Sequence, residues 1–141
     1  MNKVIGYTSG VYDMFHIGHL NILKKAKEQC DYLIVGVSTD EVVEKNKNKK
    51  PIIPFDQRTL IVEAIKYVDL VIPQDRYDIE GKIKTVKKYK VNKMFVGSDW
   101  QGTEKWVKIE SALSMIGCEV IYLPHTDGIS STILRNKIES D

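Results

Sequence analysis

Apolar runs alternate with helix-period segments along the whole chain, and this alternation is the feature that most constrains the fold. Five short apolar runs predict strands, at Lys3–Tyr7, Tyr32–Val37, Asp69–Ile72, Lys93–Val96 and Glu119–Leu123. Segments with helical spacing follow them, at Gly18–Cys30, Asp56–Val68, Ile79–Tyr89, Glu104–Ile116 and from Ser130 or Ser131 onward. Strands that alternate with helices form a parallel sheet with helices on both faces. The sequence therefore predicts a single α/β domain over residues 1–141, with a five-stranded parallel sheet.

The middle of the chain carries three further expectations. The helix over Asp56–Val68 has its apolar residues on one stripe, which we expect to face the core: Leu60, Ile61, Ala64, Ile65 and Val68. The third strand is expected to stop at Pro73. Residues Thr39–Phe55 show neither the apolar run of a strand nor the apolar spacing of a helix. A long, irregular and locally basic segment is therefore predicted there.

Composition and charge exclude several classes of protein. Twenty-one Lys and Arg residues against nineteen Asp and Glu give a net charge of +2, which is too balanced for a dedicated nucleic-acid binder. No apolar run approaches the ~20 residues that cross a bilayer, and the N-terminus lacks the apolar stretch of a signal peptide. Cys30 and Cys118 are too few for a disulfide framework or a tetrahedral zinc site. We therefore expect a cytoplasmic protein without nucleic-acid partners or membrane insertion.

Four polar segments, three of which contain glycine, follow predicted strands. They are SGVYDMFHIGH after the first strand, EKNKNKKP after the second, GSDWQG after the fourth and PHTDGISS after the fifth. In open parallel sheets, ligands bind outside the carboxyl ends of the strands. All four segments are therefore expected at one edge of the sheet, and this edge is the predicted ligand site.

Two histidines stand between the first strand and the first helix, in the order His16-Ile17-Gly18-His19. At a helix N-terminus, the unhindered Gly18 backbone and the free N–H groups favour a phosphate. Imidazole N–H groups can donate to phosphate oxygens whose charge grows in a transition state. Zinc binding, or a solvated loop with incidental histidines, remains an open alternative at this point. Asp13 is expected to fix the loop before the histidines through backbone hydrogen bonds.

These motifs resemble those of the cytidylyltransferase-like branch of the nucleotidyltransferase superfamily, in particular its glycerol-3-phosphate cytidylyltransferases. The resemblance covers almost the entire chain and rests on HIGH with the preceding GVYD, on VGVSTDE, on the arginine of FDQRTLIVEAIKYVD, on GSDWQG and on TDGISST. Val11 and Tyr12 replace the family's threonine and phenylalanine, and His125 replaces its arginine. A histidine is shorter than arginine and only partly protonated, so we expect a weaker phosphate contact from His125.

The resemblance implies a single Rossmann-like nucleotidyltransferase domain that transfers CMP from CTP to a phosphorylated polyol such as glycerol 3-phosphate. It implies catalytic roles for His16, His19, Lys45 and Lys47, and acceptor binding by Arg58 and Trp100. The residues implied in nucleotide binding are Ser9, Gly10, Val11, Gly18, Gly97, Asp99, His125, Thr126, Gly128, Ile129, Ser130 and Ser131. Mg²⁺ is expected to arrive with CTP, without a metal site of the protein's own.

Plainer roles remain open for several of these residues, and so do other functions. The lysines are equally explained as solvated surface charges, Arg58 as a buried ion pair at a helix start, and Trp100 as a cap on the sheet edge. An adenylyltransferase that acts on a sugar phosphate is the main alternative function, and a catalytically inactive nucleotide-binding module is another. Because Asp56–Ile72 resembles the dimer-forming segment of family members, a homodimer is also expected.

Overall fold

The computed structural model describes residues 3–124, which form one parallel sheet flanked by helices. Its strands are β1 (Ile5–Gly10), β2 (Tyr32–Ser38), β3 (Leu70–Gln74), β4 (Lys93–Gly97) and β5 (Glu119–Leu123). Its helices are α1 (Ile17–Glu28), α2 (Asp40–Lys47), α3 (Phe55–Glu63), α4 (Ile79–Tyr89) and α5 (Glu104–Ser114), with a short 3-10 turn at Ser98–Trp100. The strand order is β3-β2-β1-β4-β5, so the five-stranded parallel sheet is confirmed.

Each face of the sheet carries its own apolar core. On one face, α1 and α3 bury Leu23 and Val62 against Val35 and Phe95. On the other, α4 and α5 pack onto the sheet, and their inward side chains share a cluster with Tyr7, Ile34 and Met94. The nearly continuous apolar run of β2 is buried from Leu33 to Ser38, as expected for a strand covered on both sides. Helices on both faces are therefore confirmed.

The irregular segment predicted over Thr39–Phe55 is wrong for its first half, which forms α2. The Thr39 hydroxyl caps this helix by accepting from Val42 N, and acidic residues occupy its first turn. Lysines stand in its last turn, and Asn48 ends it in the left-handed conformation at a φ of 56°. Because α2 buries only two apolar side chains, end effects stabilise a helix that apolar spacing could not predict.

The helix predicted over Asp56–Val68 is found, but α3 begins at Phe55, ends at Glu63 and faces the core differently. Leu60 and Ile61 were expected in the core, and they are 65% and 43% exposed. Arg58 and Val62 are the buried side chains of α3 instead. The core side of this helix is thus taken by a charged residue with internal partners, which a purely apolar pattern does not reveal.

The expectation that Pro73 ends the third strand is also wrong, since β3 continues to Gln74. β3 lies at the edge of the sheet and pairs only with β2, where Pro73 stands opposite Val37. Proline is tolerated in edge strands because its missing N–H removes no ladder bond on the open side. The helix predicted from Ser130 or Ser131 lies outside the described residues, so the extension of the single domain to residue 141 stays a prediction.

A crevice opens between β1 and β4 at the carboxyl edge of the sheet. β1 pairs with β4 only as far as Thr8 and Phe95. Beyond that point β1 continues along β2 to Gly10, whereas β4 continues along β5 to Gly97. The strand order reverses at this boundary, and such switch points are where open α/β sheets bind their ligands. The loops that follow β1 and β4 therefore flank the expected site.

Candidate active site

His16 and His19 form a reciprocal capping pair at the N-terminus of α1. His16 is the N-cap, and its Nδ1 accepts from Gly18 N at 3.1 Å. His19 lies one turn later, and its Nδ1 accepts from His16 N at 3.2 Å. In the usual capping box a serine or threonine and a glutamate or glutamine play these parts. Here the same hydrogen bonds fix the orientation of two imidazole rings.

The two Nδ1 contacts also determine where the imidazole protons lie. A neutral imidazole has one donor and one acceptor nitrogen, so rings that accept at Nδ1 carry their proton on Nε2. Burial is the main cause that lowers the pKa of His19, to about 4, and the neighbouring His16 lowers it further. Burial also lowers the pKa of His16. Near neutral pH the pair therefore presents two neutral Nε2–H donors.

The rings stack on one another, with centroids 3.9 Å apart and an angle of 22° between their planes. Tyr12 and Phe15 pack against His19, with centroid distances of 5.4 Å and 5.2 Å. His16 Nε2 is buried and has no hydrogen-bond partner among residues 3–124. Because an unsatisfied buried donor costs free energy, an acceptor oxygen from a ligand would be stabilised at this atom.

The loop that carries the histidines is held in an uncommon backbone conformation. Tyr12 and Met14 both have positive φ values, 55° and 49°, although neither is glycine. Such residues persist only where surrounding contacts enforce them, and they concentrate at functional sites. Asp13 supplies two of those contacts, since its carboxylate accepts from Ile52 N and Ile53 N, both at 2.8 Å. The expected backbone-fixing role of Asp13 is thereby confirmed.

Arg58 lies entirely inside the protein, where its guanidinium joins the loop after β1, the end of β2 and the segment before α3. Nη1 donates to the carbonyls of Val11 (2.6 Å) and Ser38 (2.8 Å), and Nε donates to the carbonyl of Ile53 (2.8 Å). Nη2 pairs with Asp40 Oδ1 at 2.6 Å. The side chain has no exposed surface with which to contact an acceptor. This geometry corrects the expected acceptor contact and matches the alternative of a buried ion pair.

Lys45 and Lys47 lie in the last turn of α2, beyond the carboxyl end of β2, and both are exposed. Lys45 lines a cavity of about 450 Å³ together with Thr39 and Tyr77. Lys47 is not among the residues that line this cavity. The structure thus places Lys45 at this cavity and Lys47 away from its lining, a difference that the sequence could not show.

The loop after β4 lies on the opposite side of the crevice from β2 and β3. Gly97 ends β4, and Asp99 and Trp100 form the 3-10 turn that follows. Trp100 is 48% exposed, and the Thr103 hydroxyl donates to its carbonyl at 2.8 Å. An aromatic ring with this exposure is accessible to a ligand.

The structure brings most of the candidate residues to the carboxyl edge of the sheet. The edge carries Ser9, Gly10, Val11, His16, Gly18, His19, Lys45, Lys47, Gly97, Asp99 and Trp100. His125, Thr126, Gly128, Ile129, Ser130 and Ser131 lie outside the described residues. Gln74, Ser38 and Tyr77, which the sequence did not single out, form a buried hydrogen-bond chain behind this edge. No residue spacing or motif in the sequence predicts these hydrogen bonds.

Residues 3–124 contain neither a metal-binding group of side chains nor a membrane-spanning helix. No group of three or more His, Cys, Asp or Glu side chains is arranged to hold a metal ion in this part of the chain. None of the helices described between residues 3 and 124 has the length and apolar character needed to cross a membrane.

Comparison with known proteins identifies the family of this chain. The family model described as "Cytidylyltransferase-like" matches residues 7–137, which include both histidines and all of the sheet except the first two residues of β1. The chain belongs to the cytidylyltransferase-like family.

Members of this family include several curated relatives of similar length. A glycerol-3-phosphate cytidylyltransferase of Staphylococcus aureus is 41% identical over 98% of this chain and 96% of its own. One of Bacillus subtilis is 39% identical over 98% of each chain. An FAD synthase of Pyrococcus abyssi is 37% identical over 82% of this chain and 77% of its own length.

Solved structures share the fold. A lipopolysaccharide core biosynthesis protein of Thermoplasma volcanium superposes with a TM-score of 0.71 and 27% identity, and covers 89% of this chain and 98% of its own. A pantoate-beta-alanine ligase of Francisella tularensis superposes with a TM-score of 0.63 at 19% identity, over 99% of this chain and 71% of its own. The Rossmann-like arrangement predicted for the described residues is therefore confirmed.

Proposed function

We propose that the protein transfers CMP from CTP to glycerol 3-phosphate, with CDP-glycerol and pyrophosphate as products. Full-length relatives at about 40% identity are named glycerol-3-phosphate cytidylyltransferase. The structural observation that carries the proposal is the pair of neutral, capped imidazoles, of which His16 has a buried Nε2–H without a hydrogen-bond partner among residues 3–124.

The reaction requires little acid–base chemistry from the protein. A phosphate oxygen of glycerol 3-phosphate attacks the α-phosphorus of CTP, the bond to the β-phosphate oxygen breaks, and its electron pair leaves with pyrophosphate. The attacking phosphate is already an anion, so catalysis rests on positioning and on stabilising the charge of the transferring group. His16 and His19 donate from Nε2 to α-phosphate oxygens, and these hydrogen bonds strengthen as negative charge accumulates in the transition state.

Positive charge is supplied from α2 and by the metal that accompanies CTP. An ammonium group on Lys45 or Lys47, placed between the two substrate phosphates, offsets their mutual repulsion. Mg²⁺ that arrives with CTP would be held mainly by phosphate and water oxygens, and it would supply positive charge for the leaving pyrophosphate.

The test is a matrix of nucleoside triphosphates against phosphorylated acceptors, with pyrophosphate release as the readout. We expect release with CTP and glycerol 3-phosphate together, and none with either alone. Release with ATP but not CTP, or with no acceptor of the panel, overturns the proposal. In the latter case the protein is a nucleotide-binding module without turnover.

Two cap-preserving variants test the histidines within that assay. His16→Asn keeps an N-cap acceptor, and His19→Gln keeps the acceptor of a capping box, whereas both remove the imidazole Nε2–H. We expect kcat to fall at least about 100-fold in each variant while the melting temperature changes little, because oxyanion donors contribute on this scale. Full activity in both variants would remove the histidines from the mechanism.

Adenylyl transfer is the second candidate, and the FAD synthase relatives are the observation that favours it. Those relatives match a smaller share of this chain than the cytidylyltransferases do. Competition between CTP and ATP at equal concentration in the pyrophosphate assay separates the two candidates.

A homodimer is proposed on the strength of the exposed face of α3. Leu60 and Ile61 are 65% and 43% exposed there, on a helix that packs against β2 and β3. A second copy of the chain would remove this apolar surface from water. Analytical ultracentrifugation should give a dimer for the wild type and a monomer for Leu60→Lys, and a monomeric wild type contradicts the proposal. The cytoplasmic location expected from the sequence stays a prediction that cell fractionation tests.

A further inference from the structure

Three aromatic rings surround the His19 imidazole at the start of α1. The His16 ring stacks on it at a centroid distance of 3.9 Å. The Tyr12 ring meets it edge-on, with centroids 5.4 Å apart and an angle of 67° between the planes, and the Phe15 ring lies at 5.2 Å. Edge-to-face contacts in this distance range are favourable and have a defined geometry. The position of the imidazole is therefore restricted by all three neighbouring rings.

Tyr12 is the neighbouring ring that is anchored in the core. It is 6% exposed and belongs to the same apolar cluster as Leu23 and Phe95, whereas Phe15 is only partly buried. Its phenol also hydrogen-bonds the side chain of Thr8, the last residue of β1 that pairs with β4. Tyr12 thus connects the interior of the protein to the imidazole.

The backbone around Tyr12 is arranged so that its ring reaches His19. Tyr12 has a φ of 55°, in the left-handed region that residues other than glycine adopt at a cost in free energy. The following residue, Asp13, holds this conformation through its two hydrogen bonds from backbone N–H groups. Gly10 leaves space for the ring, because a Cβ at that position would lie 3.1 Å from two of the ring atoms of Tyr12. A costly backbone conformation is therefore maintained, and the contact with His19 is its result.

This contact bears on both the charge and the orientation of His19. Burial is the main cause that lowers its pKa to about 4, and the adjacent aromatic rings contribute to that burial. Among residues 3–124, the charges that act on it are those of His16, which lowers the pKa further, and of Asp13, which raises it. Its Nδ1 accepts from His16 N at 3.2 Å, so a ring that cannot rotate directs Nε2 to one point. Misplacing a reacting or stabilising group by ~1 Å can lower a rate about 100-fold.

We propose that Tyr12 is a positioning residue for the transfer of CMP, whose ring holds the His19 imidazole in one orientation and keeps water away from it. The role in transfer rests on the proposed function, whereas the effect on the protonation of His19 does not. The ring of Tyr12 makes the contact with His19, and the hydroxyl does not take part in it. Tyr12→Phe should therefore retain this role.

NMR titration of the His19 ring and steady-state kinetics test the proposal in Tyr12→Leu. The smaller side chain admits water beside the imidazole, so the pKa of His19 should rise from about 4 to about 5 or above, and the acid limb of the kcat profile should move to higher pH. At pH 7, kcat should fall about tenfold while the KM for glycerol 3-phosphate stays within about twofold, because the displaced donor acts in the transition state.

Two variants serve as controls for the loss of the ring. Tyr12→Phe should keep the pKa of His19 and should keep kcat within about twofold. Phe95→Leu removes a buried ring of the same core cluster, one that lies beside Gly6 in β1. It should lower the melting temperature without changing the pKa of His19 or kcat.

The proposal is overturned if Tyr12→Leu leaves either the pKa of His19 or kcat unchanged, if Tyr12→Phe loses as much as Tyr12→Leu, or if Phe95→Leu raises the pKa of His19 equally. Tyr12→Met keeps most of the buried volume and replaces Tyr12→Leu if that variant does not fold. Its flexible side chain does not hold the imidazole in one orientation, so kcat should fall there too, and wild-type kcat contradicts the proposal. A wild type without CMP transfer contradicts the proposed function, whereas the titration of His19 needs no turnover and tests Tyr12 alone.

Discussion

The low pKa of His19 predicts a specific loss of stability in mild acid, which His19→Gln should abolish. In the folded protein this pKa is about 4, against the ordinary histidine value of 6.5 that applies to an unfolded chain. Between these values the unfolded state binds more protons, so the free energy of unfolding falls as the pH falls. The stabilising contribution is complete above pH 6.5 and is lost progressively down to pH 4.

The magnitude follows from the two pKa values. At pH 5 an unfolded histidine is almost fully protonated, whereas His19 in the folded state is mostly neutral. Linkage then gives a loss of about 2 kcal/mol between pH 7 and pH 5 that belongs to this side chain. Glutamine at the same position retains a capping acceptor and does not titrate. The variant should therefore lose about 2 kcal/mol less than the wild type over the same pH interval.

Urea unfolding at pH 7 and pH 5, at one protein concentration, measures this difference. With a urea slope of roughly 2 kcal/mol per molar, the midpoint of the wild type should fall by about 1 M more than that of His19→Gln. Asp69→Asn is the control, because the Lys27 hydrogen bond lowers the pKa of Asp69 below 3.8 and its titration lies outside the interval. Equal losses in the wild type and His19→Gln would refute a buried, neutral His19.

Three further outcomes follow from the site. Arg58→Leu removes the cationic partner of Asp40 and the side-chain donor of three carbonyls, so thermal unfolding should show a loss of roughly 3 kcal/mol. Lys45→Ala should lower kcat/KM about tenfold in the pyrophosphate assay, whereas Lys49→Ala, outside the helix and the cavity, should change it less than twofold; equal effects would contradict a special role for Lys45. Asp13→Asn can satisfy only one of two backbone N–H groups, and it should cost about 1–2 kcal/mol in urea unfolding and lower kcat.

The parallel sheet and the order of its strands and helices along the chain were predictable, because buried strands and amphipathic helices have characteristic spacings of apolar residues. The departures have physical reasons in particular residues. α2 buries few apolar side chains and depends on the Thr39 cap, so the spacing of its apolar residues did not predict a helix. Leu60 and Ile61 were expected in the core because they belong to the apolar stripe of this helix. The stripe did not reveal that the Arg58 side chain is buried instead, with its hydrogen-bond partners inside the protein.

The candidate site was also predictable only in part from the sequence. His16 and His19 were recognisable as candidate site residues from their position between a predicted strand and a predicted helix. Their tautomers depend on hydrogen bonds to the backbone, which only the folded structure defines. The hydrogen-bond chain through Gln74 joins residues that are 36 to 65 positions apart. Contacts of that range follow from strand order and register, which local sequence does not encode.

The protonation of the two histidines is the central claim, and nitrogen NMR of the imidazole rings measures it directly. In the free protein at pH 7, both rings should be neutral and carry their proton on Nε2, and the Nε2 signals should shift when CTP binds. Protonation at Nδ1, a charged imidazolium in the free protein, or unchanged ring signals in the CTP-bound protein would contradict this account of the site.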